Sequence, residues 1–290
     1  MSERLGVLKT YKLSIGGKFP RTESGRSIKA LDDSGNVVAH MCRSSRKDLR
    51  NAVEAARAVL PKWSGANAYL RGQILYRMAE MLEGKRDEFA GSISITGSVS
   101  NEAAQNEVSA SVDRLVAFAG WADKFSQVLG CSNPVTGPYY NFSVPEPTGV
   151  VGVVCPDSPS LLGLVSLLGP VLCSGNTVVL LASERNAIPA CVLGEVLATS
   201  DVPGGVVNIL TGLRTELVEH FATHREINGI FAAGVSDEHR KELEAGAAEN
   251  LKRVRVLPSG VDFVDGEGLE SPWMIEPFVE SKAIWHPASA

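Results

Sequence analysis

This sequence predicts an α/β fold: a Rossmann-like parallel sheet with helices on both faces, preceded by N-terminal helices and carrying a β arm. Three observations predict it. From Gly149 onward, short β-branched runs alternate with helical stretches, the pattern of βαβ units. The runs 150–154 and 177–181 are apolar at nearly every position, as strands covered on both faces must be. The chain has 290 residues and 44% hydrophobic content, enough for a sizeable core.

Each element has its own signal. Residues 11–42 read as short strands and turns, with Gly16-Gly17 and Asp33-Ser34-Gly35-Asn36 as turn material. At Ser45 the period changes. Leu49, Ala52, Val53, Ala56, Val59 and Leu60 recur at helical spacing, and Pro61 reads as a stop. A second helix is predicted over 69–89, with Leu70, Ile74, Leu75, Met78 and Leu82 on one face, and a third over 108–125. Residues 130–147 are rich in Pro, Gly and β-formers and read as an extended hairpin, an exposed arm. Strands are then expected at 150–154, 177–181, 206–210, 229–232 and 254–257. Helices are expected between them at 160–172, 188–199, 215–223 and 237–247. A last strand is expected at 278–285.

Composition excludes several classes. The net charge is −5 and no basic block occurs, so nucleic acid is not an expected partner. The stretch 158–183 carries no charge, but Gly163, Gly169-Pro170 and Ser174-Gly175-Asn176 interrupt it. It reads as a buried helix, a turn and a strand, so no membrane partner is expected. The N-terminus shows no apolar signal segment. Five cysteines without CxxC spacing read as reduced thiols, and the expected location is cytoplasmic. His220 and His224 stand four apart, a spacing that can hold zinc, but no third ligand accompanies them. No metal is expected.

Several segments resemble the aldehyde dehydrogenase superfamily in order and spacing: "YKLSIGGKF", "AVEAARAVLPKWSG", "RGQILYRMAEMLEGKRDEFA", "VDRLVAFAGWADK", "VPEPTGVVGVVCP", "SGNTVVLLASE" and "VPGGVVNILTG". A closer resemblance is to the non-catalytic C-terminal half of the class 16 enzymes, through the "VVCPD" turn, the "GNTVV" strand and the closing "SKAIWHP". The superfamily's reaction needs a cysteine thiolate as nucleophile, a Glu as general base and an Asn side chain at the oxyanion. Its "GQxC" context is absent here. Leu257 stands where the "ELGGK" motif carries its Glu, and only "VDFVDGEGLE" occupies the place of a catalytic domain. The turn "PDSP" is one residue shorter than the family's "PWNFP". The resemblance therefore implies no catalytic residue and an absent catalytic domain.

It also implies a depleted cofactor site. Leu181 replaces the lysine that grips the adenosine ribose, Arg214 replaces a glycine, and Val235 replaces a serine. Glu184, Gly212 and Gly234 are retained as cofactor-binding remnants, with no cofactor as the expectation and NAD left open. Some roles stay open. Asp157 reads as an acid/base group or as the N-cap of the helix after Pro159. Glu184 reads as a ribose ligand or a surface charge. Cys155 reads as a buried hydrophobe rather than a relocated nucleophile. Residues 1–126 and 148–260 are expected to form a nucleotide-binding-type unit, and 127–147 with 272–290 an oligomerisation arm. The expected role is a structural or regulatory subunit of a catalytic aldehyde dehydrogenase, with that chain or a second copy as partner. An NAD(P)-linked oxidoreductase is the alternative.

Overall fold

The structure, a computed structural model, describes residues 6–288. The ends of the two predicted units, 1–5 and 289–290, lie outside the described residues. The chain opens with β1 (Thr10–Tyr11), β2 (Ser27–Leu31) and β3 (Val37–Cys42), joined in the order β1-β3-β2. Four longer helices and a short one follow: α1 (Arg46–Ser64), α2 (Ala68–Gly84), α3 (Arg86–Ser94), α4 (Asn101–Trp121) and α5 (Phe125–Leu129). Ser45 starts α1 through a capping box with Asp48, whose side chain accepts the Ser45 N–H at 2.7 Å. Pro61 does not stop this helix. It sits within the last turn, and the helix runs on to Ser64. The helix predicted over 69–89 is two helices, broken at Lys85, and α4 begins earlier than its apolar spacing indicated because Ser100 caps it.

Next come β4 (Cys131–Asn133) and β5 (Tyr139–Pro147). The alternating half then reads β6 (Val150–Val154), α6 (Leu162–Cys173), β7 (Thr177–Leu181), α7 (Ile188–Thr199), β8 (Val207–Leu210), α8 (Arg214–Thr223), β9 (Gly229–Ala232), α9 (Asp237–Ala248) and β10 (Arg253–Val256). The last strand is β11 (Val279–Pro287). Strands β6 to β10 form one parallel sheet in the order β10-β9-β6-β7-β8, as the alternation predicted. The uncharged stretch 158–183 resolves into a turn, α6 and β7. Among the described residues no helix is long and apolar enough to cross a membrane.

Both faces of this sheet are covered, and the strand period assigns the residues. Val151, Val153, Val178 and Leu180 pack on the side of α2, α4, α6 and α7. Val150, Val154, Val179 and Leu181 pack on the side of α1, α8 and α9. The outer edge of β8 is closed by a bridge from Ser14 to Ile209, and Gly16 donates its N–H to the buried Asn208 at 2.9 Å. That approach needs two glycines: Gly17 has φ +74°, and a Cβ on it would lie 2.8 Å from the Gly204 Cα.

The arm is a separate antiparallel sheet, β11-β5-β4, in which β11 and β5 pair over nine positions from Val279↔Pro147 to Pro287↔Tyr139. Tyr139 and Trp285 meet edge to face across it at 5.9 Å. Between β10 and β11, residues 257–278 bury Phe263, Leu269, Ile275 and Phe278, the last against Phe231 of β9. Arg114 of α4, 1% exposed, fixes this segment by donating to the Phe263 carbonyl (3.0 Å), Ser166 Oγ (2.5 Å) and Glu270 Oε1 (3.2 Å).

Asn176, in the turn before β7, joins arm and sheet at their root. Its Oδ1 accepts the Gly149 N–H at 2.7 Å, and its Nδ2 donates to the Phe278 carbonyl at 2.8 Å and to Ser174 Oγ at 2.7 Å. The side chain is fully buried, so its loss strands the Gly149 N–H and the Phe278 carbonyl away from water. Asn176→Ala is expected to destabilise the fold by about 2 kcal/mol, read as a lower denaturation midpoint at unchanged slope.

Candidate functional site

In this open parallel sheet the strand order reverses between its first strand, β6, and its fourth, β9. Ligands bind in the crevice beyond the carboxyl ends there. In this fold that crevice lies between β6 and β9, bordered by Cys155-Pro156-Asp157, Ser183-Glu184, Gly212-Leu213-Arg214 and Ala233-Gly234.

A side chain of the protein crosses it. Arg214, the first residue of α8, is 5% exposed. Its Nη2 donates to the Cys155 carbonyl at 2.6 Å and to Asp157 Oδ1 at 3.0 Å, and its Nη1 donates to Asp157 Oδ2 at 2.9 Å. Nη1 also reaches the Gly234 carbonyl at 3.5 Å. The guanidinium thus spans from the end of β6 to the end of β9. The bidentate geometry is the strong form of an arginine–carboxylate pair. Asp157 turns its other contacts to the β7 end: Oδ1 accepts from Ser183 Oγ at 3.1 Å and from the Glu184 N–H at 2.9 Å.

The three retained residues come together around this pair. Glu184 Oε1 accepts the Arg214 backbone N–H at 2.8 Å and so caps the start of α8. Gly234 has φ +61°, and a Cβ there would lie 2.9 Å from Pro156 Cβ. Gly212 has Leu217 Cδ1 2.9 Å from the place of a Cβ. The Gly234 turn requires its glycine, whereas Gly212 meets only the movable end of a leucine side chain. Leu181 and Leu257 are buried and apolar, and Val235 packs on the core.

Asp157 does not cap α6. That cap comes from Glu107 of α4, whose Oε1 accepts the N–H groups of Leu161 (2.7 Å) and Leu162 (3.1 Å). No local spacing in the sequence marks this long-range cap. Arg214 was visible as an intruder at a glycine position. Its partner became visible only when the fold brought Asp157 opposite.

The chemistry of the remaining candidates is quiet. Cys155 is fully buried, and burial pushes its thiol far above the ordinary range, so no thiolate forms near neutral pH. Burial likewise pushes the Cys173 and Cys191 thiols up to about 12. His220 and His224 line a cavity with Arg46, Arg50 and Glu219. Among the described residues no three His, Cys, Asp or Glu side chains converge as a metal site. The polar groups offered to a dinucleotide are committed inward, to Arg214 and Asp157. The crevice as built does not fit the cofactor.

A sequence model described as the aldehyde dehydrogenase family matches residues 21–264. The mitochondrial benzaldehyde dehydrogenase of Antirrhinum majus is 32% identical over 86% of this chain and 47% of its own length. Retinal dehydrogenase 2 of Mus musculus is 31% identical over 87% of this chain and 49% of its own. Among solved structures, an NAD+ complex of aldehyde dehydrogenase from Bacillus cereus superimposes with a TM-score of 0.81 at 25% identity, over 85% of this chain and 50% of that one. The chain spans about half the length of the curated relatives it matches.

Removing the Asp157 carboxylate leaves a buried guanidinium without its counter-charge. Asp157→Ala is expected to cost about 3 kcal/mol in chemical denaturation. Removing both charges in the double variant D157A/R214M is expected to recover more than half of that loss.

Proposed function

The chain belongs to the aldehyde dehydrogenase family, and from that premise we propose that it is a non-catalytic member, a structural or regulatory subunit of a catalytic aldehyde dehydrogenase. The observation that carries this reading is the Arg214 guanidinium lying across the nucleotide crevice, paired with Asp157. A chain that used a dinucleotide would have to expel this side chain and leave Asp157 unpaired. The absence of a base at Leu257 and the raised thiols of the buried Cys155, Cys173 and Cys191 support the same reading.

The arm supports the partner. Beyond the short β4, the bare side of β5 carries Pro145 and Pro147, which have no N–H to offer a neighbour. That edge is blunted. The outer edge of β11 has no neighbouring strand among the described residues, and Trp285 and Tyr140 stand 60% and 69% exposed on the arm. An open nine-residue edge beside exposed aromatics is a template for strand addition. We read 127–147 with 272–290 as the oligomerisation arm, and 1–126 with 148–260 as a nucleotide-binding-type unit. All five cysteines are unpaired, which fits a reducing compartment, and we place the protein in the cytoplasm.

A second reading, an NAD(P)-linked oxidoreductase with residual cofactor binding, draws on Glu184, Gly212 and Gly234 at the crevice mouth. It requires Arg214 to swing out, at the cost of its contacts with Asp157 and Cys155.

The test is recovery from the native cell. An affinity-tagged chain is expected to co-purify with a full-length aldehyde dehydrogenase in fixed ratio. A Trp285→Asp, Ala283→Pro variant, altered only on β11, is expected to lose that partner while melting as the wild type does. Recovery of the tagged wild-type chain alone would count against the subunit reading.

A further inference from the structure

A second cavity, of about 430 Å³, opens beside the crevice, on the far side of the Asp157 turn. Its size lies within the range of small-molecule sites, and it mixes apolar walls with a few convergent polar groups. Ile93 and Val99 supply apolar wall, and Glu107, Ser160 and Thr96 supply the polar lining. These three polar residues are each at least nine-tenths buried, with exposures of 9%, 7% and 8%.

The groups at the floor are not fully used. Glu107 spends Oε1 on the α6 amides and leaves Oε2 without a partner among the described residues. Ser160 Oγ makes no hydrogen bond to any described residue, although it lines the cavity. Burial raises the Glu107 carboxyl above its ordinary range, against the pull of the two amides. Of the other lining acids, Asp157 is neutralised by Arg214 and Asp32 accepts the Ser34 and Asn36 N–H groups of its own turn, while Asp33 stands exposed at the mouth. A buried carboxylate with one free oxygen and a free hydroxyl lining the same cavity ask for a cationic donor with more than one N–H. At the exposed mouth, Lys29 and Arg185 form no ion pair among the described residues. They would meet an anionic outer end.

The geometry points to a binding site for a small primary ammonium compound. Its nitrogen donates to Glu107 Oε2 and Ser160 Oγ, and its alkyl part lies against Ile93 and Val99. An aminocarboxylate fits the mouth as well as the floor. This site is independent of the dinucleotide crevice and of the subunit role proposed above.

The test is calorimetric titration of the full chain with n-butylamine, 4-aminobutyrate and butyrate. Both amines are expected to bind saturably, the aminocarboxylate more tightly, and butyrate is expected not to bind. Glu107→Gln keeps an acceptor for the Leu161 and Leu162 amides and removes only the charge. It is expected to melt near the wild type and to weaken amine binding about tenfold or more. If E107Q melts much lower, S160A decides, with a smaller loss of affinity expected. Absence of saturable amine binding would overturn the site. So would butyrate binding as tightly as the amines, wild-type affinity in a folded E107Q, or unchanged affinity in S160A.

Discussion

The Arg214–Asp157 pair holds together the carboxyl ends of four strands. Arg214 leaves from the end of β8 and reaches the backbone at the ends of β6 and β9, while Asp157 gathers the turn after β7. In a parallel sheet these ends point carbonyls into the crevice, and they need donors from water, a ligand or the chain itself. Here the chain supplies them. The guanidinium, with its fixed fork of donors, suits the task better than a lysine would. Arg214 Nε is buried without a partner, so the fit is incomplete even though the fork is filled.

Residues 257–278 are fastened to α4 by Arg114, through Phe263 and Glu270, and by Trp121, through Glu270. The chain then proceeds directly to β11. Asn176 ties that strand's root to the start of β6, so the arm is anchored in the same turn that begins β7. The arm and the parallel sheet are therefore joined at one turn.

How much of this was legible depended on the range of the interaction. The five parallel strands could be read from runs such as "VVGVV" and "TVVLL", because a strand covered on both faces must be apolar along its length. The vacant base position at Leu257 and the glycine replaced at Arg214 were readable as departures from a motif. The helix break at Lys85 was not, since α2 and α3 continue one apolar spacing across it. The pairing of Asp157 with Arg214, in place of the acid/base or N-cap role its position suggests, is hidden for the same reason as the cap from Glu107. Both depend on contacts between residues far apart in sequence, and N-cap chemistry is local only when the capping residue is the nearest acceptor.

The central claim is that the nucleotide crevice is closed from within. Calorimetric titration of the purified chain with NAD+ and NADP+ tests it most directly. The account predicts no saturable heat with either. Saturable binding that Glu184→Gln abolishes would contradict it, because Arg214 would then have to yield its place to the cofactor.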